Sequence, residues 1–168
     1  MNTTINIIIF GLENIGSSLV SQLINQQKIW ETQFDITLKI PVITSDQIVF
    51  LENNQKQNNW DANFSDFGSP FEFAKLATFL FQKSLANTII IDTTNSTEIL
   101  YHYPDFLQQN LPIISTNKIA KLPPPEISFL LKIAQKEIIF VEPNLNDTQE
   151  ITAQILKLAQ ESKILLAG

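Results

Sequence analysis

The chain has 168 residues, a formal charge of −6 and 44% hydrophobic residues, with no cysteine, one histidine and no arginine. That length fits one domain able to bury a core. The acidic balance and the missing guanidinium groups exclude the usual nucleic-acid binder, the absent cysteines exclude disulfides and thiolate chemistry, and a lone His102 supplies no multi-histidine metal cluster.

The N-terminus, Met1-Asn2-Thr3-Thr4, carries no positive segment, and the apolar runs are too short to span a bilayer. The composition therefore predicts a soluble, cytoplasmic chain with no metal site and no nucleic-acid or membrane partner. Residues 5–10 form a β-branched run closed by Gly11, the pattern of a buried first strand. From Asn14 the period changes, and Ile15, Leu19, Val20, Leu23 and Ile24 fall on one face of an amphipathic helix. Residues 36–43 give a second strand ending at Thr44-Ser45-Asp46, and the Asn- and Gln-rich stretch 53–69 reads as a loop pinned by Trp60, Phe64 and Phe67.

Pro70 opens a further helical pattern through Phe71, Ala74, Leu76, Phe79 and Leu80, an apolar helix that reads as core, and residues 88–92 have strand composition. A helix over 98–108, weakened and split by Pro104, precedes a strand at 112–115. A helix over 125–135 precedes a strand at 137–141, and residues 146–162 form the last helix, with Asp147 and Glu150 in capping-box spacing. Strands alternating with helices need crossovers, which predicts an α/β fold, a doubly wound Rossmann-like parallel sheet with helices on both faces, as a single domain over 1–168. Ligands of such sheets bind beyond the carboxyl ends of the strands, so the chemistry is sought there.

After the first strand comes Gly11-Leu12-Glu13-Asn14-Ile15-Gly16, two of the three glycines of the dinucleotide fingerprint, in a chain that has only four glycines. Gly11 suits the tight turn and Gly16 the close approach of helix and strand. The middle position, where glycine normally admits the pyrophosphate, is Glu13. At about 4 Å, two unit charges repel by roughly 1 kcal/mol in water and about 4 kcal/mol at an effective dielectric of about 20, enough to weaken binding severely unless Glu13 swings outward. The two glycines equally suit a bare strand-to-helix turn. Asp46, after the second strand, stands where a carboxylate would accept ribose hydroxyls and repel a 2′-phosphate, which favours NAD over NADP, although its distance from Gly11 exceeds the usual twenty or so residues and also suits a solvated loop aspartate. Asp92-Thr93-Thr94-Asn95-Ser96 and Ser115-Thr116-Asn117-Lys118 are polar runs at two further strand ends, equally suited to a ribose or nicotinamide and to helix capping. His102 reads as a helix-surface histidine, Glu142 as a solvated strand-end carboxylate, and Trp30 and Trp60 as core.

The ordered set formed by the first strand with Gly11 and Gly16, then Asp92-Thr93-Thr94-Asn95-Ser96, Tyr103, Phe106-Leu107 and Ser115-Thr116-Asn117-Lys118, resembles homoserine dehydrogenase, most closely the dehydrogenase half of bifunctional aspartate kinase/homoserine dehydrogenase. The resemblance spans residues 4 to about 120 and implies an NAD(P)-binding domain in which Gly11 to Gly16 hold the pyrophosphate. It further implies that Thr93, Thr94, Asn95, Ser96, Thr116 and Asn117 line the nicotinamide side and that Lys118 matches the catalytic lysine. In the family a large substrate-binding and dimerising domain follows a strand that Phe140-Val141-Glu142 resembles; here 26 residues follow Glu142. Their Asp147-to-Ser162 stretch resembles the helix that returns to the nucleotide domain, while a second alignment sets Gln154 and Glu150 near the family's second catalytic lysine and its aspartate. Either way the resemblance implies an incomplete active site. Three functions are consistent with this: a dinucleotide-binding domain working with a separate catalytic chain, a non-catalytic interaction or regulatory protein with a protein partner or a second copy, or a small enzyme whose pocket is formed by residues 53–69.

Overall fold

In the computed structural model, which describes residues 2–13, 15–51, 60–83, 86–134, 138–142 and 148–167, the isoleucine run forms β1 (Thr3–Phe10), buried along most of its length. Its alternate side chains serve two cores. Ile5, Ile7 and Ile9 pack with Leu19, Val20 and Leu23 of α1 (Gly16–Phe34) and with Ile151, Ile155 and Ala159 of α6 (Gln149–Ala167). Ile8 and Phe10 face the other way, against Leu76 of α3 (Phe73–Lys83), Tyr103, Phe106 and Leu107 of α4 (Tyr103–Gln108), and Ile127 of α5 (Pro125–Ala134). A strand buried on both faces is what a continuous rather than alternating apolar run encodes. Ile151, Ile155 and Ala159 are buried in the first core, so one face of α6 packs against the sheet.

Among the described residues the sheet has seven strands, in the order β4 (Ser69–Pro70), β3 (Ile48–Leu51), β2 (Ile36–Thr44), β1, β5 (Thr88–Asp92), β6 (Ile113–Ser115), β7 (Ile139–Phe140). β1 pairs in parallel with β2 and β5, and the parallel run continues through β6 to β7. The doubly wound α/β fold is as expected. The departure lies at the β2 edge, where β3 and β4 add two antiparallel strands. A tight turn produces the reversal: Ser45 Oγ accepts the amides of Gln47 and Ile48 at 3.3 and 3.0 Å, and the Ser45 amide donates to the Ile48 carbonyl at 2.8 Å. This serine turn needs no glycine, so the usual hairpin signal is missing from the sequence.

The expected loop over 53–69 needs correcting in part. Residues 60–67 form α2 (Trp60–Phe67), whose Trp60 and Phe64 pack on the first core, and Ser69 lies in β4; residues 53–59 lie outside the described residues. Pro70 occupies the edge strand rather than opening α3, which is where a residue without an N–H is tolerated in a sheet. Pro104 splits its helix as anticipated: a 3-10 turn over Glu98–His102 gives way to α4, with the proline in the first turn. Among the described residues no helix is long and apolar enough to cross a membrane.

Candidate functional site

The turn from β1 into α1 is built around two glycines. Gly11 has φ +98°, a backbone state that side chains rarely adopt, and a Cβ there would lie 2.9 Å from both the amide nitrogen and Cγ2 of Thr94. A Cβ on Gly16 would fall 1.8 Å from the Gly11 carbonyl oxygen, so the helix can begin at this point only with glycine there. Thr93, buried beneath the turn, fixes it by donating its hydroxyl hydrogen to the carbonyls of Gly11 (2.5 Å) and Phe10 (3.1 Å). Ile15, the residue before α1, is buried and gives no side-chain cap, and the first turn of α1 contains no acidic residue. The first-turn amides of α1 thus have no side-chain acceptor from the capping position, the arrangement that suits an anion.

Glu13 is tied to the end of β2. Its Oε1 accepts the backbone N–H of Asp46 at 2.9 Å, joining the glycine turn to that strand end beside a cleft that both residues line. The cleft has a volume of about 360 Å³ and runs from Glu13, Thr44, Ser45 and Asp46 at the β1 and β2 ends to Thr94, Asn95 and Ser96 after β5. Its apolar wall is aromatic: Phe71 meets Phe73 edge-on at 4.7 Å between centroids, and Phe10 stacks with Phe73 at 6.1 Å. Among the described residues, Glu13, Asp46 and Glu98 supply its charged groups and no lysine lines it.

At the ends of β5 and β6 the polar side chains turn inward. Asp92 is fully buried; its Oδ1 accepts the Thr94 amide and hydroxyl at 2.8 and 2.7 Å, and its Oδ2 accepts from the Tyr103 hydroxyl and from Asn117 Nδ2 at 3.1 Å. Burial pushes the Asp92 carboxyl above the usual carboxylate range, and these donors, Tyr103 foremost, pull it back. Burial and the neighbouring Asp92 likewise hold the Tyr103 phenol far above its ordinary value. Tyr103 has one proton, committed to Asp92, so Ser115 is the donor in the 2.9 Å Tyr103–Ser115 pair, while Ser115 Oγ accepts the Asn117 amide at 3.1 Å. Asn117 completes the set by donating to the Ser96 carbonyl at 2.9 Å and accepting the Ile119 amide at 3.1 Å.

The sequence-predicted residues therefore separate. Gly11, Gly16, Thr93 and Thr94 meet in the turn, and Glu13, Asp46, Thr94, Asn95 and Ser96 line the cleft, whereas Leu12 and Ile15 pack into the first core. Thr116 and Asn117 are buried, Asn14 lies outside the described residues, and Lys118 stands exposed at the start of a 3-10 turn, away from the cleft lining. Glu142 is not merely solvated: Lys121 pairs with it and, with a smaller contribution from Lys118, holds its carboxyl below the usual range. His102 is not a free surface ring either, since it stacks on Phe73 at 3.6 Å between centroids and its pKa is lowered by burial. Tyr103 belongs to the ordered set that resembles the family, but its bond to Asp92 and the aromatic wall of the cleft are not legible in the sequence. A carboxylate following three isoleucines at the end of a buried strand is the one signal that could have pointed to buried donors around Asp92.

A mostly parallel sheet with its glycine turn against a helix N-terminus, and a cleft over the carboxyl ends of the central strands, defines the Rossmann class of nucleotide-binding domains. Residues 11–142 match the homoserine dehydrogenase NAD-binding domain, and the chain belongs to that family. It is 28% identical over 118 residues to the bifunctional aspartokinase/homoserine dehydrogenase of Buchnera aphidicola, a match covering 70% of this chain and 14% of the relative. A hyperthermophilic archaeal homoserine dehydrogenase in complex with NADPH superposes with a TM-score of 0.57 at 20% identity, over 82% of this chain and 44% of that one. A Candida auris protein of unknown function gives 0.64 at 16% identity, over 84% and 39%. The chain thus spans about one seventh of the length of that curated relative.

Proposed function

We propose that this domain binds NAD in preference to NADP and presents it to a substrate held by another domain or chain, without substantial homoserine turnover by itself. The observation that carries the reading is the position of Glu13: its carboxylate is drawn to the Asp46 amide, so the side chain expected to obstruct the pyrophosphate leaves the α1 N-terminus to the phosphates. The residues fit the cofactor, since Gly11 and Gly16 leave out the Cβ atoms that would fill the turn. Asp46, Glu13 and the absence of arginine disfavour a 2′-phosphate. When bound, NAD would supply the hydride acceptor. Thr93 and Asn117 would act from behind, holding the two strand-end loops, and Thr94, Asn95 and Ser96 would meet the cofactor. Lys118, exposed beyond the cleft, would serve only a substrate brought to it from outside.

Calorimetric titration of NAD and NADP at fixed salt, into the unaltered chain and into Glu13→Gly, tests this reading. Micromolar NAD binding by the unaltered chain supports it. Binding only after Glu13 becomes glycine supports a second reading, a non-catalytic interaction protein whose cleft has closed to dinucleotides; the three carboxylates at the cleft are the observation in its favour.

A further inference from the structure

We infer that Glu13, from within the glycine turn, is the residue that reads the adenine ribose and selects NAD over NADP, and that Asp46 contributes chiefly the backbone amide that holds it. The inference rests on the reading that the cleft takes a dinucleotide. In the usual arrangement the ribose is read by a carboxylate at the end of the second strand, and Asp46 is the residue there. Its side chain is exposed and, among the described residues, makes no hydrogen bond that fixes its direction. Glu13 is the anchored carboxylate: its Oε1 takes the Asp46 amide at 2.9 Å, which places it at the end of β2. A carboxylate accepts about four hydrogen bonds, so this one keeps acceptor capacity for a 2′-hydroxyl in the cleft that it lines.

The local charge sharpens the choice. A 2′-phosphate brought to this corner would meet Glu13 and Asp46, with no lysine among the described residues of the cleft lining and no arginine in the chain. A hydroxyl meets the same carboxylate as a donor, and hydrogen bonds to an ionised acceptor are about twice as strong as neutral ones. One anchored group thus favours the hydroxyl and opposes the phosphate.

The test is to measure NAD and NADP dissociation constants for the unaltered chain, Glu13→Gln and Asp46→Asn, at low and high salt, with the thermal midpoint of each variant as a control for folding. Glutamine keeps the length of Glu13 and an oxygen for the Asp46 amide while removing the charge. The unaltered chain is expected to prefer NAD, and Glu13→Gln to shrink that preference by about tenfold or more, through weaker NAD and tighter NADP binding, whereas Asp46→Asn shrinks it less than about threefold. Raising the salt is expected to narrow the preference of the unaltered chain far more than that of Glu13→Gln, because an exposed charge pair is screened and a neutral amide is not. If the preference follows Asp46→Asn and ignores Glu13→Gln, or if the unaltered chain binds NADP as tightly as NAD, this inference is overturned while dinucleotide binding stands. If only Glu13→Gln binds either nucleotide, Glu13 bars the cleft and does not read the ribose. If no form binds either nucleotide, the dinucleotide reading itself fails.

Discussion

Two corners of the sheet carry the polar residues that end its central strands, and they use them differently. At the ends of β1 and β2, Glu13 and Asp46 are exposed and share one hydrogen bond, between a carboxylate and an amide. At the ends of β5 and β6, Asp92, Ser115 and Asn117 are at most 1% exposed and bond to each other, to Tyr103 and to the two loops. A buried polar group must find its partners within the protein, whereas an exposed one keeps capacity for a ligand. The second corner is therefore a brace that sets the positions of Thr94, Asn95 and Ser96, and the first is where a ligand can be read. Residues of similar type at equivalent strand ends differ in role because they differ in burial.

The glycine turn joins the two corners, and breaking it is expected to have the largest effect. Gly16→Ala puts a Cβ 1.8 Å from the Gly11 carbonyl, a collision with backbone that no rotamer change relieves. Urea denaturation should show a loss of about 4 kcal/mol or more, at the far end of single-substitution effects. A loss below about 1 kcal/mol would mean that the strand-to-helix junction is looser than its geometry implies.

The brace itself is tested by Tyr103→Phe. Removing a donor from a buried carboxylate is expected to cost about 1.5–3 kcal/mol near neutral pH. The sign of the pH dependence follows from Asp92. Its carboxyl is raised by burial, so its contribution to stability is fully present below the ordinary carboxylate range and is lost as pH rises through the raised native value. The Tyr103 hydrogen bond holds that value down, and without it the native carboxyl rises further. The deficit of Tyr103→Phe should therefore shrink as pH falls below the raised native value, where Asp92 is protonated with or without its partner. A deficit that does not change with pH would place the hydroxyl's role in packing alone.

The contrast between the corners also marks what the sequence makes legible. The isoleucine strands, the alternation with helices and the two glycines are local patterns, and the fold follows from them. Gly11 and Gly16 were readable because glycine is scarce in this chain and the turn admits no other residue. The β3–β4 extension was not, because a serine side chain closes its first turn and the strands are four and two residues long. Nor could the sequence distinguish Thr94 facing the cleft from Asn117 buried behind it, since that difference depends on Tyr103 arriving from α4. Glu13 was legible as an obstruction, and its bond to Asp46 spans too many residues to be read from spacing.

The smallest expected effect sharpens the comparison from outside both corners. Lys118 follows Asn117 directly in the chain, yet Asn117 belongs to the brace and Lys118 is exposed, its charge felt at Glu142 rather than in the cleft. If the brace serves only to position the cleft, Lys118→Ala should move the thermal midpoint by no more than about 2 °C and the NAD dissociation constant by no more than about twofold. The same variant tests where the chemistry ends. The purified chain with NAD is expected to give no homoserine oxidation above background, because Lys118 is exposed and is not among the described residues that line the cleft, and orientation accounts for a large part of an enzyme's rate advantage. Oxidation that is present in the unaltered chain and abolished in Lys118→Ala would show that this end of the sheet builds a working site by itself, and the division between a reading corner and a bracing corner would have to include a third, catalytic one.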